Sequence, residues 1–344
     1  MTQRDELSSL ERVAAAFNGQ PLDRVPIIEF VIDPHVARAL YPAARDVPEV
    51  MDLLGLDAVS AGPTWHRVPE EGAEWLDEWG VRYRAGAQVL AHPIAGPIAG
   101  ADDLARYQPP DSDAPWRLDA LRNVVERFKG RRSIWFHHRA AFMWSAYLAG
   151  LERVLEWMYT DPDLVQALFT RVAEVNERII RNAIRAGAEV IVLGDDYASN
   201  QAPLFSPAHF NQFVWPHLAR MVAAIHDEGA RVVKHTDGNI WPIIADIVST
   251  GIDGLNPLEP VAGMDLGRVK TEYGARVCLI GNIDCGELLS HGSPEEVEQA
   301  VRAALAAGMP GGRYMLSSSN SIHASVRPEN YRAMVAAGKR WGKY

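Results

Sequence analysis

Residues 231–242 read RVVKHTDGNIWP. An apolar, β-branched run stops abruptly and gives way to an imidazole, a hydroxyl, a carboxylate and a glycine. Residues i and i+2 of an extended segment point to the same face, so His235 and Asp237 project together. That placement suits a metal ion or a proton-transfer pair; a His and an Asp decorating a turn is the plainer alternative. A strand that is apolar along its length and polar at its C-terminal end is also the repeating unit of parallel α/β folds. The fold is therefore decided by whether the pattern recurs.

It recurs throughout the chain. Eight segments have this character: 24–33, 56–62, 132–138, 188–196, 230–238, 252–260, 275–284 and 311–320. Helical patterns separate them, with start signals at Ser206-Pro207, at Ser293-Pro294-Glu295-Glu296 and at Thr160-Asp161-Pro162. A serine or aspartate before a proline places a capping oxygen ahead of a residue whose missing N–H costs nothing. Eight strands with interleaved helices predict a (β/α)8 TIM barrel, formed by one domain over residues 1–344. Residues 63–131 are surplus to the repeat. Their stretch EWLDEWGVRYRAGAQVLAHPIAGPI alternates like a β-hairpin, which predicts an insertion between strands 2 and 3 that serves as a lid. The rival open doubly wound sheet lacks a Gly-x-Gly-x-x-Gly turn or a P-loop.

Composition narrows the partners. With 344 residues, 48% hydrophobic and 23% charged, the chain is of ordinary globular type. A net charge of −10 argues against nucleic acid and anionic membranes, and against polyanionic substrates unless a local basic pocket exists. The two cysteines, Cys278 and Cys285, are too few for a disulfide framework. The amphipathic start and the lack of a membrane-length apolar run complete the expectation of a soluble cytoplasmic protein.

A barrel carries its active site at the C-terminal ends of its strands. Those ends offer Glu29 and Asp33, His137, His138 and Arg139, Asp195, Asp196 and Tyr197, His235 and Asp237, Asn256 and Glu259, Asn282 and Asp284, and the run Ser317–Asn320. His137 and His138 fall on opposite faces, so at most one lines the mouth. One of the Asp195-Asp196 pair can be a helix cap. Cys285 is a metal donor or a small buried hydrophobe, and Cys278 is core. Trp65, Trp135 and Trp144 are an aromatic wall or core packing.

At this point the sequence resembles a family. LDRVPI, DEWGVRYR, FMWSAYLAGLERVLEWMYTDPDLV, SPAHFNQFVWPHL, VVKHTDGN, LIGNID and PGGRYMLSSSNSIHASVRPENY follow, in order, the pattern of the uroporphyrinogen decarboxylase superfamily. That superfamily also contains cobalamin-dependent methyltransferases. Its decarboxylases carry an arginine-rich segment after the first strand that grips porphyrinogen carboxylates. Here Glu29 and Asp33 stand where cations are wanted, which argues against a polyanionic tetrapyrrole. Tyr147 matches an active-site tyrosine of the decarboxylases, whereas Asn320 stands in place of their C-terminal histidine. The methyltransferases hold zinc through a His-x-Cys pair and a distant Cys. In this chain the pair reads His235-x-Asp237 and the distant position is Asn320, so the histidine is kept and both thiolates are replaced.

The resemblance implies a corrinoid-linked methyltransferase (a demethylase) that moves a methyl group from a small O- or N-methylated substrate to cobalamin carried by a partner protein. His235, Asp237, Asp196, Tyr147 and Glu29 are the expected catalytic groups. His138, Trp144, Asn320 and Asn282 are the expected substrate contacts, and His235, Asp237 and Asp284 the expected ligands of zinc or another divalent metal. Oxygen donors in place of thiolates imply a harder, less tightly held ion. A homodimer is carried over from the decarboxylases. The alternatives are a decarboxylase or lyase acting on a smaller acid and a non-catalytic barrel homologue. A scaffold has no need of clustered carboxylates, which argues against the last.

Overall fold

Seven of the eight apolar runs pair into one curled, parallel sheet in a computed structural model that describes residues 6–69, 74–84 and 92–344. The strands are β1 (Ala58–Ala61), then, after a separate four-stranded antiparallel sheet of β2 (Arg67–Pro69), β3 (Glu74–Asp77), β4 (Arg82–Arg84) and β5 (His92–Ala95), the strands β6 (Ser133–His138), β7 (Val190–Gly194), β8 (Arg231–His235), β9 (Gly254–Asn256), β10 (Cys278–Ile283) and β11 (Tyr314–Ser318). The parallel strands lie side by side in chain order, so all their C-terminal ends open on one side.

Period-2 alternation separates two cores. Val190 and Val192 of β7 join Ala58, Trp135, Val233, Cys278, Ile280 and Met315 on the inner face, whereas Ile191 and Leu193 face the helices. Burying each aliphatic side chain of this kind contributes about 1.5–3 kcal/mol. The first helix, Ser9–Asn18, lays Val13, Ala16 and Phe17 against the inner cluster. The capping signals act as expected. Ser206 accepts from His209 N–H, Asp161 from Leu164 N–H, and Ser293 forms a reciprocal box with Glu296.

Segment 24–33 departs from the expected strand. It makes isolated bridges, Ile27 to Leu316 and Ile32 to Ile322, rather than a ladder. Pro26 has no N–H to donate, although its carbonyl accepts from Leu316 N–H, and Asp33 turns the chain by capping the helix Pro34–Leu40. The segment still reaches both sheet edges: Ile28 N–H donates to Leu316 O, and Ile27 O accepts from Asp57 N–H. The run 252–260 shortens to β9 because Pro257 ends the ladder. Within 63–131, the hairpin expectation is met by β3 and β4, while its residues 85–91 lie outside the described ones. The helix Asp119–Phe128 in the same stretch packs on β1 and β6, as the crossover of a parallel pair does. Among the described residues no helix is long and apolar enough to cross a membrane.

Candidate functional site

The KHTDGN segment turns at the end of β8, and each residue has a local task. Lys234 is fully buried, and its Nζ donates to the carbonyls of Leu193 at 3.2 Å, Asp195 at 2.7 Å and His235 at 2.5 Å. It also sits 4.1 Å from the Tyr197 ring centroid. Burial depresses its pKa to about 8, against the pull of Asp195 and Asp196. Thr236 Oγ1 accepts from Tyr197 N–H at 3.0 Å. Gly238 has φ +84°, and a Cβ there would lie 2.6 Å from the Ala198 carbonyl, so only glycine lets the turns after β7 and β8 meet backbone to backbone.

His235 is oriented from behind. Asn256 donates its amide Nδ2 to Ile280 O at 3.1 Å, which turns Oδ1 toward His235 Nδ1 at 2.5 Å. Nδ1 therefore carries the proton of that bond, and Nε2 faces the carboxylates. It lies 3.4 Å from Asp237 Oδ1 and 4.0 Å from Asp196 Oδ1. Asp237 uses Oδ2 to accept from Asn320 Nδ2 at 2.6 Å, while its buried Oδ1 has no hydrogen-bond partner among the described residues. Burial raises Asp237 to about 6. The pull of His235 opposes the rise, Asp196 and Glu259 add to it, and the Asn320 bond lowers it again. One ligand atom from each of Asp196, His235 and Asp237 lies within 4.8 Å of the other two.

This donor set fits a divalent ion. An orphaned carboxylate oxygen, a second carboxylate and an imidazole nitrogen fixed by an amide behind it form an N/O site of the harder kind. Asp284, the expected third ligand, is not in the group. Its carboxylate accepts from the backbone N–H groups of Gly286, Glu287 and Leu288 at 3.0–3.1 Å, capping the turn after β10. Asp196, rather than Asp284, lies together with His235 and Asp237.

The remaining expected residues divide. Asn320 belongs to the cluster through Asp237, so the two positions where the resemblance expects thiolates are bonded to each other. Tyr147 lies beside Arg139 and within electrostatic reach of Asp196; burial raises its pKa and Arg139 opposes the rise. Trp144 stacks on Trp79 at 4.7 Å and meets Trp65 at 5.4 Å and Tyr147 at 5.6 Å. Trp135 instead packs in the inner core with Phe17 and Phe30. Asn282 donates to Leu258 O and, with Asp284, borders a groove of about 540 Å³ against the helix Pro294–Gly308.

Glu29 is buried and is not in the group of Asp196, His235 and Asp237. It accepts from Ser317 Oγ and from the Ser318 and Phe30 N–H groups, and burial raises it to about 8. His138 is directed away from the cluster, with Nε2 3.1 Å from Asn176 Oδ1 on the long helix Pro162–Arg185. His137, its neighbour of opposite parity, lies against Gly62, and burial, with Arg139 and His235, depresses it to about 4. Cys285 is buried beside Ser319, and burial raises its thiol to about 12. Reasoning from strand ends passed over the roles of Asn256, Lys234 and Arg139. The polar end of β9 was the one available signal for Asn256.

Comparison with known proteins follows from this geometry. Residues 78–341 match the model of the uroporphyrinogen decarboxylase (URO-D) family. The chain belongs to that family. Among curated relatives it is 26% identical to the methylcobamide:CoM methyltransferase MtaA of Methanosarcina barkeri, over 96% of this chain and 98% of the relative. It is 27% identical to the uroporphyrinogen decarboxylase of Alkalilimnicola ehrlichii, over 95% and 93%. A solved methyltransferase from Methanosarcina mazei shares the fold with a TM-score of 0.77 at 23% identity, covering 97% of this chain and 99% of that one. The family thus includes both methyltransferases and decarboxylases of nearly the same length.

Proposed function

We propose that the protein is a corrinoid-linked methyltransferase that takes a methyl group from a small O- or N-methylated substrate and passes it to cobalamin held by a partner protein. The observation that carries the reading is the Asp196–His235–Asp237 group, with an unbonded Asp237 oxygen facing an imidazole nitrogen. It stands beyond the C-terminal ends of β7 and β8, where (β/α)8 enzymes do their chemistry. Methyltransferase relatives that span the chain end to end support it.

An ether or amine does not release its methyl group unaided. When the methyl–heteroatom bond breaks, the electron pair stays on oxygen or nitrogen, which must be neutralised there. His235 and Asp237 would hold or supply the proton at that atom. Asn256 would keep the imidazole aimed, and Asn320 would hold Asp237 by its outer oxygen. A divalent ion bound by Asp196, His235 and Asp237 would supply Lewis acidity at the same heteroatom. The antiparallel sheet of β2–β5 would act as the lid, since Tyr83 of β4 lies within electrostatic reach of Arg139 and Tyr147.

The test is methyl transfer to cob(I)alamin from a panel of methyl ethers and methylamines, with and without added zinc, by the wild type and His235→Ala. Methylcobalamin formation that is abolished in His235→Ala is the expected result. Equal rates in the two proteins, or no methylcobalamin from any donor, would remove the proposal.

A further inference from the structure

The cluster leaves one strongly charged neighbour without a task. Arg139 follows β6 directly. Its Nη1 donates to Gly194 O at 3.2 Å, and its guanidinium carbon lies 5.2 Å from the Tyr147 ring centroid. A guanidinium has five N–H donors, and among the described residues Arg139 uses one of them. Among the described residues no carboxylate lies within the 4.0 Å of an ion pair with it. The other deeply set arginines are paired: Arg12 with Asp23 and Asp57, and Arg117 with Glu78 through two bonds of 2.7 Å. Leaving a part-buried guanidinium without a counter-ion is costly, so its fork is built for something the chain does not itself supply.

Its position says where that something binds. The side chains that feel its charge are those of Tyr147, Asp196, Asp195 and Tyr83. Gly194 separates it from the imidazole: Arg139 holds the Gly194 carbonyl, and a Cβ on Gly194 would lie 3.9 Å from His235 Cδ2. Arg139 and His235 thus flank a single residue of β7. The fork is planar, carries one positive charge and stands within electrostatic reach of Asp196 and Asp195. One charge and a planar fork match one carboxylate; a phosphate dianion would need further cations that these acids do not provide.

We propose that Arg139 is the anion anchor of the site, taking the carboxylate of a small methylated carboxylic acid whose methyl-bearing end faces His235 and Asp237. The methyl-bearing part of this statement rests on the methyltransferase reading; the carboxylate-binding part does not. Arg139 is in this view a specificity-determining residue for a singly charged acid, in a protein whose overall charge of −10 repels anions in general.

The test is isothermal titration calorimetry on the full chain, free of metal and corrinoid, with methoxyacetate and 4-methoxybenzoate against their neutral amides. At least one acid is expected to bind more tightly than its amide. Arg139→Gln should weaken the acid about 10- to 100-fold and leave the amide unchanged. Arg139→Lys keeps the charge but loses the fork, and should fall between; it also carries the test if Arg139→Gln does not fold, as judged by circular dichroism. Acids bound no better than amides, or acids bound equally by wild type and both variants, would overturn the proposal. Because no corrinoid is present, this result and the methyl-transfer assay can fail independently.

Discussion

Replacing Glu29 by glutamine tests whether its carboxyl is a buried neutral acid. The side chain is 2% exposed, and burial lifts its pKa from an ordinary 4.5 to about 8, against the hydrogen bonds from Ser318, Phe30 and Ser317. Within that interval the folded chain keeps a proton that the unfolded chain releases. The stability this contributes is complete below pH 4.5 and is lost as the pH rises toward 8. Each pH unit in which only the unfolded chain has lost the proton costs about 1.36 kcal/mol. From pH 5 to pH 7 the loss is about 2–3 kcal/mol, a little under two full units because the unfolded carboxyl is not yet fully ionised at pH 5. Glutamine has no proton to lose. Urea unfolding of both proteins at pH 5, 6, 7 and 8 should therefore show the stability of Glu29→Gln, relative to the wild type, growing by about 2–3 kcal/mol between pH 5 and 7. A difference that stays constant within about 0.5 kcal/mol across that range would show that Glu29 is ionised in the folded protein, and the burial argument would be wrong.

Three further outcomes follow from the site. A divalent ion at Asp196, His235 and Asp237 needs Asp237 as a carboxylate, and burial keeps it protonated below about pH 6, so zinc-dependent kcat/KM for methyl transfer should fall as the pH drops through 6; a rate that rises there instead would mark Asp237 as the proton donor. Asn256→Ala removes the acceptor behind His235 Nδ1, and zinc affinity, measured against a competing chelator, should drop about 10- to 100-fold while the fold persists. Uroporphyrinogen should be neither bound nor decarboxylated, because Glu29 is buried and Asp33 caps a helix where cations would be needed; coproporphyrinogen formation, followed by chromatography of the oxidised products, would contradict this.

The parallel sheet was readable in the sequence because its two periods are local. Alternation within Val190–Leu193 and the capping serines and prolines depend only on residues a few positions apart. The site was readable in part for the same reason: His235 and Asp237 share a face whatever surrounds them. What stayed hidden depends on partners far along the chain. Asn256 became a positioning group only through Ile280, and Arg139 only through Gly194 and Tyr147. Parity separated His137 from His138 but did not say which face was inner; the Asn176 amide on a distant helix decides it. Asp284 was ambiguous because a carboxylate after a strand is equally suited to a metal and to the three backbone N–H groups that it accepts from here. Pro26 and Pro257 are the places where local sequence already carried a warning about strand length.

Lys234 has a consequence for how such a site changes over time. Its ammonium grips carbonyls at the ends of two neighbouring strands, Asn239 N–H donates to Ser199 O of the adjoining turn, and Gly238, packed closely against that turn, gives its N–H to the Glu259 carboxylate. The scaffold of the loop is thus secured without help from the side chains at 237 and 320. A different donor at either of those two positions would leave these supports of the loop in place. One mutation can alter the kind of ion or the kind of proton chemistry on offer without first dismantling the support. Selection on substrate choice and selection on folding then act on different atoms of the same six residues.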